Sequence, residues 1–215
     1  MHVIEVDEHN RIKTVNGLPK PHITDVLKDL ELSKNFEGID PWYAERGKAV
    51  HLAVRFLNEK RLKTESLDEE IKPFIESYQK WLTVSGFTPE VWEVPLYSEL
   101  HDFVTTLDLI GTLNGERILI DLKTSSSLDP AVELQTAGQQ IAWEENNRLK
   151  PIAKRFALKL MSDGTVAKLK DCTDVNVYLF LDALKVWRWK MSHKRVKKIS
   201  THSVTDVKKN EEAIA

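Results

Sequence analysis

A single cysteine, Cys172, stands in 215 residues. That scarcity excludes an internal disulfide framework and any four-cysteine zinc or iron–sulfur site, and it fits a reducing intracellular setting. The amino terminus reads Met-His-Val-Ile-Glu-Val-Asp-Glu-His-Asn-Arg, with acids where a signal or transit peptide needs an apolar or basic run. No apolar stretch approaches the length of a membrane span. The expectation is a cytoplasmic chain. Formal charge is only −2, so no global excess advertises nucleic acid. Internal repeats and low-complexity linkers are missing too, and 41% hydrophobic content suffices for one sizeable core. The economical division is one domain over residues 1–198, opening with a hairpin, and a flexible tail over 199–215.

The charge is unevenly placed. Lys185, Arg188, Lys190, Lys194, Arg195, Lys197 and Lys198 follow one another without an acid, beside Trp187 and Trp189. The run reads either as a contact to a phosphate backbone or as a solvated helix end, where the macrodipole favours cations.

Hydrophobic periodicity gives an α/β pattern. Val3 to Val6 and Arg11 to Val15 form a hairpin around Glu8-His9-Asn10. A short helix follows Thr24 as its cap, and Asp40-Pro41 opens another through Asn58. From Asp68 to Val84 the apolar spacing is helical, with Gly86 as the stop. Three extended segments, Glu90 to Tyr97, Asp102 to Leu113 and Arg117 to Lys123, make an antiparallel meander, its second turn being Asn114-Gly115. Asp129-Pro130 starts a helix to Asn146, Arg155 to Leu160 and Val166 to Leu169 flank Ser162-Asp163-Gly164, and Thr173 begins the last helix. The predicted fold class is a mixed central β-sheet, with an antiparallel meander, flanked by helices.

Side chains alternate along a strand, so Asp121 and Lys123 leave one face of the segment Ile118-Leu119-Ile120-Asp121-Leu122-Lys123 about 7 Å apart. A carboxylate there can hold a divalent cation, and the lysine can steer a water or steady developing charge. Asp108 lies on the preceding strand, joined through the Asn114-Gly115 turn, which brings two carboxylates near one another. Converging carboxylates repel unless a cation neutralises them. His51 sits mid-helix, with Gly47 one turn before it on the same face. A mid-helix glycine costs about 1 kcal/mol and marks a close approach by another backbone or a nucleic acid strand. Taken alone, His51 is read as readily as a hydrogen-bonded structural residue. Gln135 and Gln139 share one helix face; Thr124-Ser125-Ser126-Ser127 is either a loop or a set of hydroxyls for phosphate.

In order, these features are Gly47-x-x-x-His51, a strand with Asp108, Asp121-x-Lys123 and a helix with Gln135. That order resembles the RecB-like branch of the PD-(D/E)XK nuclease superfamily, close to phage and mitochondrial-maintenance exonucleases. Supporting likeness runs from Val15-Asn16-Gly17 and His22-Ile23-Thr24-Asp25-Val26-Leu27 to Arg155-Phe156-Ala157-Leu158-Lys159-Leu160, roughly residues 12 to 190. The resemblance implies a restriction-endonuclease-like core. It implies Mg²⁺ or Mn²⁺ held by His51, Asp108, Asp121 and the Leu122 carbonyl, with Asp108, Asp121, Lys123 and Gln135 as the catalytic set. Arg46, Gly47, Lys48, Thr124, Ser125 and Gln139 are then contacts to DNA. Two positions depart from the family: Thr105 stands where glycine is frequent, and Gln139 where tyrosine is. The single cysteine also separates this chain from relatives that clamp an iron–sulfur cluster, including the CRISPR adaptation nucleases.

The implied activity is metal-dependent exonucleolytic hydrolysis of DNA, in recombination, repair or replication, in host cytoplasm if phage-encoded. Its partners are DNA with free ends, single- or double-stranded, and a helicase or single-strand annealing protein. Two alternatives stay open: a site- or structure-specific endonuclease of the same superfamily, and a catalytically silent DNA-binding subunit.

Overall fold

The computed structural model describes residues 2–7, 12–33 and 40–194. A small antiparallel sheet comes first, in the order β1 (Ile4–Asp7), β2 (Ile12–Val15), β3 (Leu18–Pro19). The predicted hairpin is present, although its turn lies outside the described residues, as do Arg195, Lys197, Lys198 and the 199–215 tail. Helix α1 (Ile23–Asp29) follows. His22 rather than Thr24 caps it: the His22 side chain accepts from the Thr24 N–H, and Thr24 is already helical.

Helix α2 (Trp42–Asn58) starts where Asp40-Pro41 placed it, with Asp40 Oδ1 accepting from Trp42 N at 2.9 Å. Helix α3 (Lys72–Ser85) stops at Gly86, whose φ of 70° is the left-handed cap conformation that glycine reaches without strain. The meander is β4 (Thr88–Ser98), β5 (Phe103–Leu113) and β6 (Glu116–Lys123). Asn114 and Gly115 turn with φ of 52° and 80°, as a two-residue hairpin of the type I′ kind requires. Helix α4 (Val132–Asn146) then carries the chain to β7 (Lys154–Lys159), which pairs parallel to β6, and β8 (Lys168–Asp171) returns antiparallel. The strand order β4-β5-β6-β7-β8 makes the sheet mixed.

Two apolar layers sandwich it. Val50, Val54, Phe74, Ile75, Tyr78 and Trp81 from α2 and α3 cover Ile118, Ile120 and Leu122 on one face. Val26, Leu27, Ala137, Trp143, Phe180 and Leu184 cover Leu107, Ile110 and Leu119 on the other. The fold is therefore α/β, a five-stranded mixed sheet flanked by helices. No helix among the described residues is long and apolar enough to cross a membrane.

Two boundaries move. The last helix, α5, runs from 178 through 194, the last described residue, five residues later than Thr173 led us to expect. Asn176 Oδ1 accepts from Tyr178 N at 2.9 Å, while the Thr173 hydroxyl is engaged with the Arg155 backbone. Strand β8 likewise begins at Lys168, because Asp163 Oδ1 binds the backbone and hydroxyl of Thr165 and lengthens the turn. Part of the basic run serves the fold itself. Arg188 donates to the carbonyls of His101 and Asp102, Lys190 to that of Asp29, and the Trp187 indole to Asp29 Oδ2 at 2.8 Å.

Candidate metal centre

The strand registers bring three acids to one level of the sheet. Trp92↔Leu109 and Val94↔Leu107 bracket Glu93 and Asp108, and Leu109↔Ile120 is the last pair before Asp108 and Asp121. There the β5–β6 ladder ends, although β5 remains paired with β4 and β6 with β7. The amide freed by that parting is taken up: Leu122 N donates to Asp108 Oδ2 at 2.7 Å. The contact of Leu122 with Asp108 is thus made by its N–H, and its carbonyl as a metal ligand stays a proposal.

The pleat also slips at this level. Val91 and Val94 pack on the α4 side with Trp92 between them on the other, and Leu107 and Ile110 do so with Leu109 between. Strict alternation forbids a three-residue step on one face, so both strands kink at their acids. Glu93 shows it in its backbone, with φ of 48°. A non-glycine residue in that region costs about 1–2 kcal/mol, and such strain collects at functional sites.

The kink turns Glu93 and Asp108 toward α2. His51 Nδ1 lies 3.3 Å from Glu93 Oε1 and 3.5 Å from Asp108 Oδ1. Their ligand atoms fall within 4.8 Å of one another, a set that can hold a metal ion. Sequence reasoning missed Glu93. Counting back through the four-residue Glu99-Leu100-His101-Asp102 turn would have set it opposite Asp108, given the closing pair Ser98↔Phe103.

Asp121 faces the other way. It is 0% exposed, and its Oδ1 accepts from Gln135 Nε2 at 2.6 Å and from Gln139 Nε2 at 3.2 Å, both on α4. Its Oδ2 stands 2.7 Å from Lys123 Nζ as an ion pair. Lys123 Nζ also donates to Gln135 Oε1 at 3.0 Å. Asp121, Lys123 and Gln135 are thus one network, and the α2-side triad is its neighbour across Asp108.

Burial pulls the pKa of His51 down, but the charge of Asp108, hydrogen bonds to Asp108 and Glu93, and the charge of Glu93 outweigh it and raise it to about 10. Burial resists the charge on Asp108, and His51, Lys123 and the Leu122 amide overcome that, holding its carboxyl below the ordinary value. Burial lifts Asp121, and the negative charge of Asp108 adds to the lift against the pull of Lys123. Lys123 is itself held above the usual lysine value, because Asp121 and Asp108 prevail over burial. It is an ammonium at neutral pH.

The remaining sequence candidates separate. Arg46 lies over the rings of Trp42, Tyr43 and Phe74 and reaches the Thr124 carbonyl at 3.4 Å, so the start of α2 adjoins the loop after β6. Lys48 is exposed and paired with Glu45; Ser125 is exposed and bonds the Ser127 carbonyl. Gly47 is not forced by a contact within the protein, since an added Cβ would meet only Thr124 Oγ1 at 3.5 Å, ordinary van der Waals range. Gln139, expected as a surface contact, is instead 0% exposed and bonded to Asp121 and to the Thr106 carbonyl at 3.1 Å.

No protein-family model and no curated protein matches this sequence. A presumed exonuclease from Eubacterium rectale has a similar crystal structure, with a TM-score of 0.49, 16% sequence identity and coverage of 69% of this chain. This chain spans 65% of that structure's own length, under two thirds.

Proposed function

We propose that this protein is a Mg²⁺- or Mn²⁺-dependent deoxyribonuclease of the RecB-like type that degrades DNA from free ends. The observation that carries the reading is the meeting of His51, Glu93 and Asp108 with the Asp121–Lys123–Gln135 network where β5 and β6 part. Carboxylate oxygens with one imidazole suit a hard divalent ion. When bound, such an ion supplies Lewis-acid stabilisation of a phosphoryl oxygen. His51, Glu93 and Asp108 would hold it, with Asp121 beside them on β6 as a further ligand. Lys123, its pKa raised by the charges of Asp121 and Asp108 against burial, is an ammonium and a poor base. Its part is to orient the attacking water and offset negative charge in the transition state. Gln135 fixes both Lys123 and Asp121 by one amide, and Gln139 fixes Asp121 from below. Arg46, Lys48, Thr124 and Ser125, from the start of α2 and the loop after β6, serve as phosphate contacts. In this reading a helicase or single-strand annealing protein presents the DNA ends.

The test incubates linear and covalently closed DNA with Mg²⁺ or Mn²⁺, using the Asp121→Ala and Lys123→Ala proteins as controls. Loss of linear DNA alone, abolished in both variants, is the expected result. Cutting of closed circles favours the endonuclease alternative. Binding without cleavage in either metal, or a Lys123→Ala protein as fast as its parent, overturns the catalytic assignment.

A further inference from the structure

The basic run that closes α5 takes no part in the metal centre. Over 178–198 the sequence carries seven of the chain's 31 lysines and arginines and one of its 33 acids, a net +6 in a molecule of net −2. Within α5, among the described residues, Lys185 is the cation paired with a carboxylate, that of Asp182 at 2.9 Å. Arg188 and Lys190 donate to backbone carbonyls, which satisfy their N–H groups without cancelling their charge. Lys194 is exposed. The helix macrodipole accounts for cations at this end of α5, but not for an aromatic side chain standing out among them.

That side chain is Trp189, 64% exposed on a helix whose inner face buries Phe180 and Leu184. His193 lies against the indole with ring centroids 4.4 Å apart, and its own Nδ1 donates to the Trp189 carbonyl at 2.8 Å. The indole is therefore braced by a fixed imidazole yet open to solvent, and a braced ring loses little entropy on stacking. Preceding turns of the same face carry Lys185, Asp182 and Tyr178, the last 66% exposed and about 16 Å toward the helix start. One exposed aromatic is ordinary on a protein surface. Two on one stripe, inside a segment of net +6, have the makeup of a single-strand surface: ring faces for bases and cations for phosphates.

We infer that this face of α5 is a second binding surface for single-stranded nucleic acid, remote from the metal centre, with Trp189 stacking on a base and Lys185 and Lys194 meeting phosphates. A second copy of this chain is the other occupant that such a stripe admits. It would set +6 against +6, whereas a polyanion neutralises the charge and releases counterions. Strand β5 gives the distance to the reaction. Arg188 grips the His101–Asp102 turn, and Asp108 stands six residues beyond Asp102, roughly 20 Å along the strand. At 3.4 Å per nucleotide of a stacked strand, that is about six nucleotides. The inference rests on the nuclease reading for its purpose: the surface retains the strand between successive cuts, so its contribution is confined to strands long enough to reach it.

The test uses the full chain with Trp189→Ala, Trp189→Phe and the double variant Lys185→Glu/Lys194→Glu, all at exposed positions. Fluorescent oligothymidylates of about 5 and about 25 nucleotides are titrated by anisotropy in EDTA over a range of salt. Trp189→Ala is expected to weaken binding of the long strand about tenfold, and Trp189→Phe to regain most of it, because a phenyl ring still stacks. The double variant flattens the slope of log K against log salt by about 1.4, two single-strand phosphate contacts. The short strand binds the parent and all three variants alike, and melting temperatures stay at the parent value. Long-strand affinity and slope unchanged in both Trp189→Ala and the double variant overturn the surface. An equal loss on short and long strands overturns it too, since the effect then lies in the fold or at the metal centre. So does a parent that sediments as a dimer and turns monomeric in Trp189→Ala with DNA affinity intact, which makes the face a contact between copies. If the parent leaves DNA uncut with either metal while the Trp189 dependence holds, the nuclease reading fails and the surface stands; degradation without that dependence gives the reverse.

Discussion

Replacing Glu93 by glutamine probes the residue that most distinguishes the folded site from its sequence. The amide keeps the shape of the side chain 3.3 Å from His51 Nδ1 and removes its charge. Attraction between unit charges at about 4 Å is about 4 kcal/mol at the effective permittivity of such sites, and a divalent ion doubles it before desolvation takes much of it back. We take a net loss of about 2.7 kcal/mol, or about 100-fold in metal affinity. At a concentration of 100 times the parent dissociation constant, Mn²⁺ should stabilise the parent by about 2.7 kcal/mol and the variant by only about 0.4 kcal/mol. For a chain of this size that difference is about 5–9 °C in the metal-induced rise of Tm. Thermal unfolding with and without Mn²⁺, checked by calorimetric titration, reads it directly. Glu93→Gly separates charge from strain: at φ of 48° glycine relieves the backbone by up to about 1 kcal/mol, so without added metal it should be more stable than Glu93→Gln, which also lacks the charge beside His51, while both lose the Mn²⁺ effect. An undiminished Mn²⁺ shift in Glu93→Gln would refute Glu93 as a ligand.

Three other outcomes follow from the same geometry. His51 has a folded pKa raised from 6.5 to about 10, so its stabilisation is complete below pH 6.5 and fades as pH climbs toward 10. Without added metal, unfolding free energy from denaturant titrations should decline over that window, whereas Mn²⁺ affinity should rise by about tenfold per pH unit as each ion displaces one proton; a pH-independent affinity contradicts this. Gln139→Leu strips Asp121 and the Thr106 carbonyl of a buried donor and should cost about 1–3 kcal/mol, with slower turnover but unchanged DNA affinity; weaker DNA binding at full stability would return Gln139 to the interface. Two glycines should respond oppositely in thermal melts. Gly47→Ala gains up to about 1 kcal/mol from helix propensity. Gly111→Ala loses at least about 2 kcal/mol, because its Cβ would meet Thr88 O at 2.2 Å and the Phe87 ring at 2.5 Å.

Local sequence signals sufficed for much of the frame. Asp40-Pro41, Gly86 and Asn114-Gly115 punctuate the chain through their own backbone preferences, which operate whatever the surroundings. Where a side chain could satisfy the backbone in more than one way, the boundary moved: Thr173 serves Arg155 instead of capping α5, and His22 caps α1 in place of Thr24. In the sequence, the hairpin brought Asp108 near Asp121 and Lys123, and the family resemblance added His51 and Gln135 to that set. Only tertiary structure decided which groups face each other. Face is set by the pleat, and the pleat slips at Glu93 and Asp108, a shift invisible to any period-2 reading. That slip turns Asp108 to His51, recruits Glu93, and leaves Asp121 with Lys123 and two glutamines of α4. Burial did the rest, fixing Lys123 as an ammonium and Gln139 as an interior support, because desolvation and neighbouring charge belong to the packed molecule and not to the order of its residues.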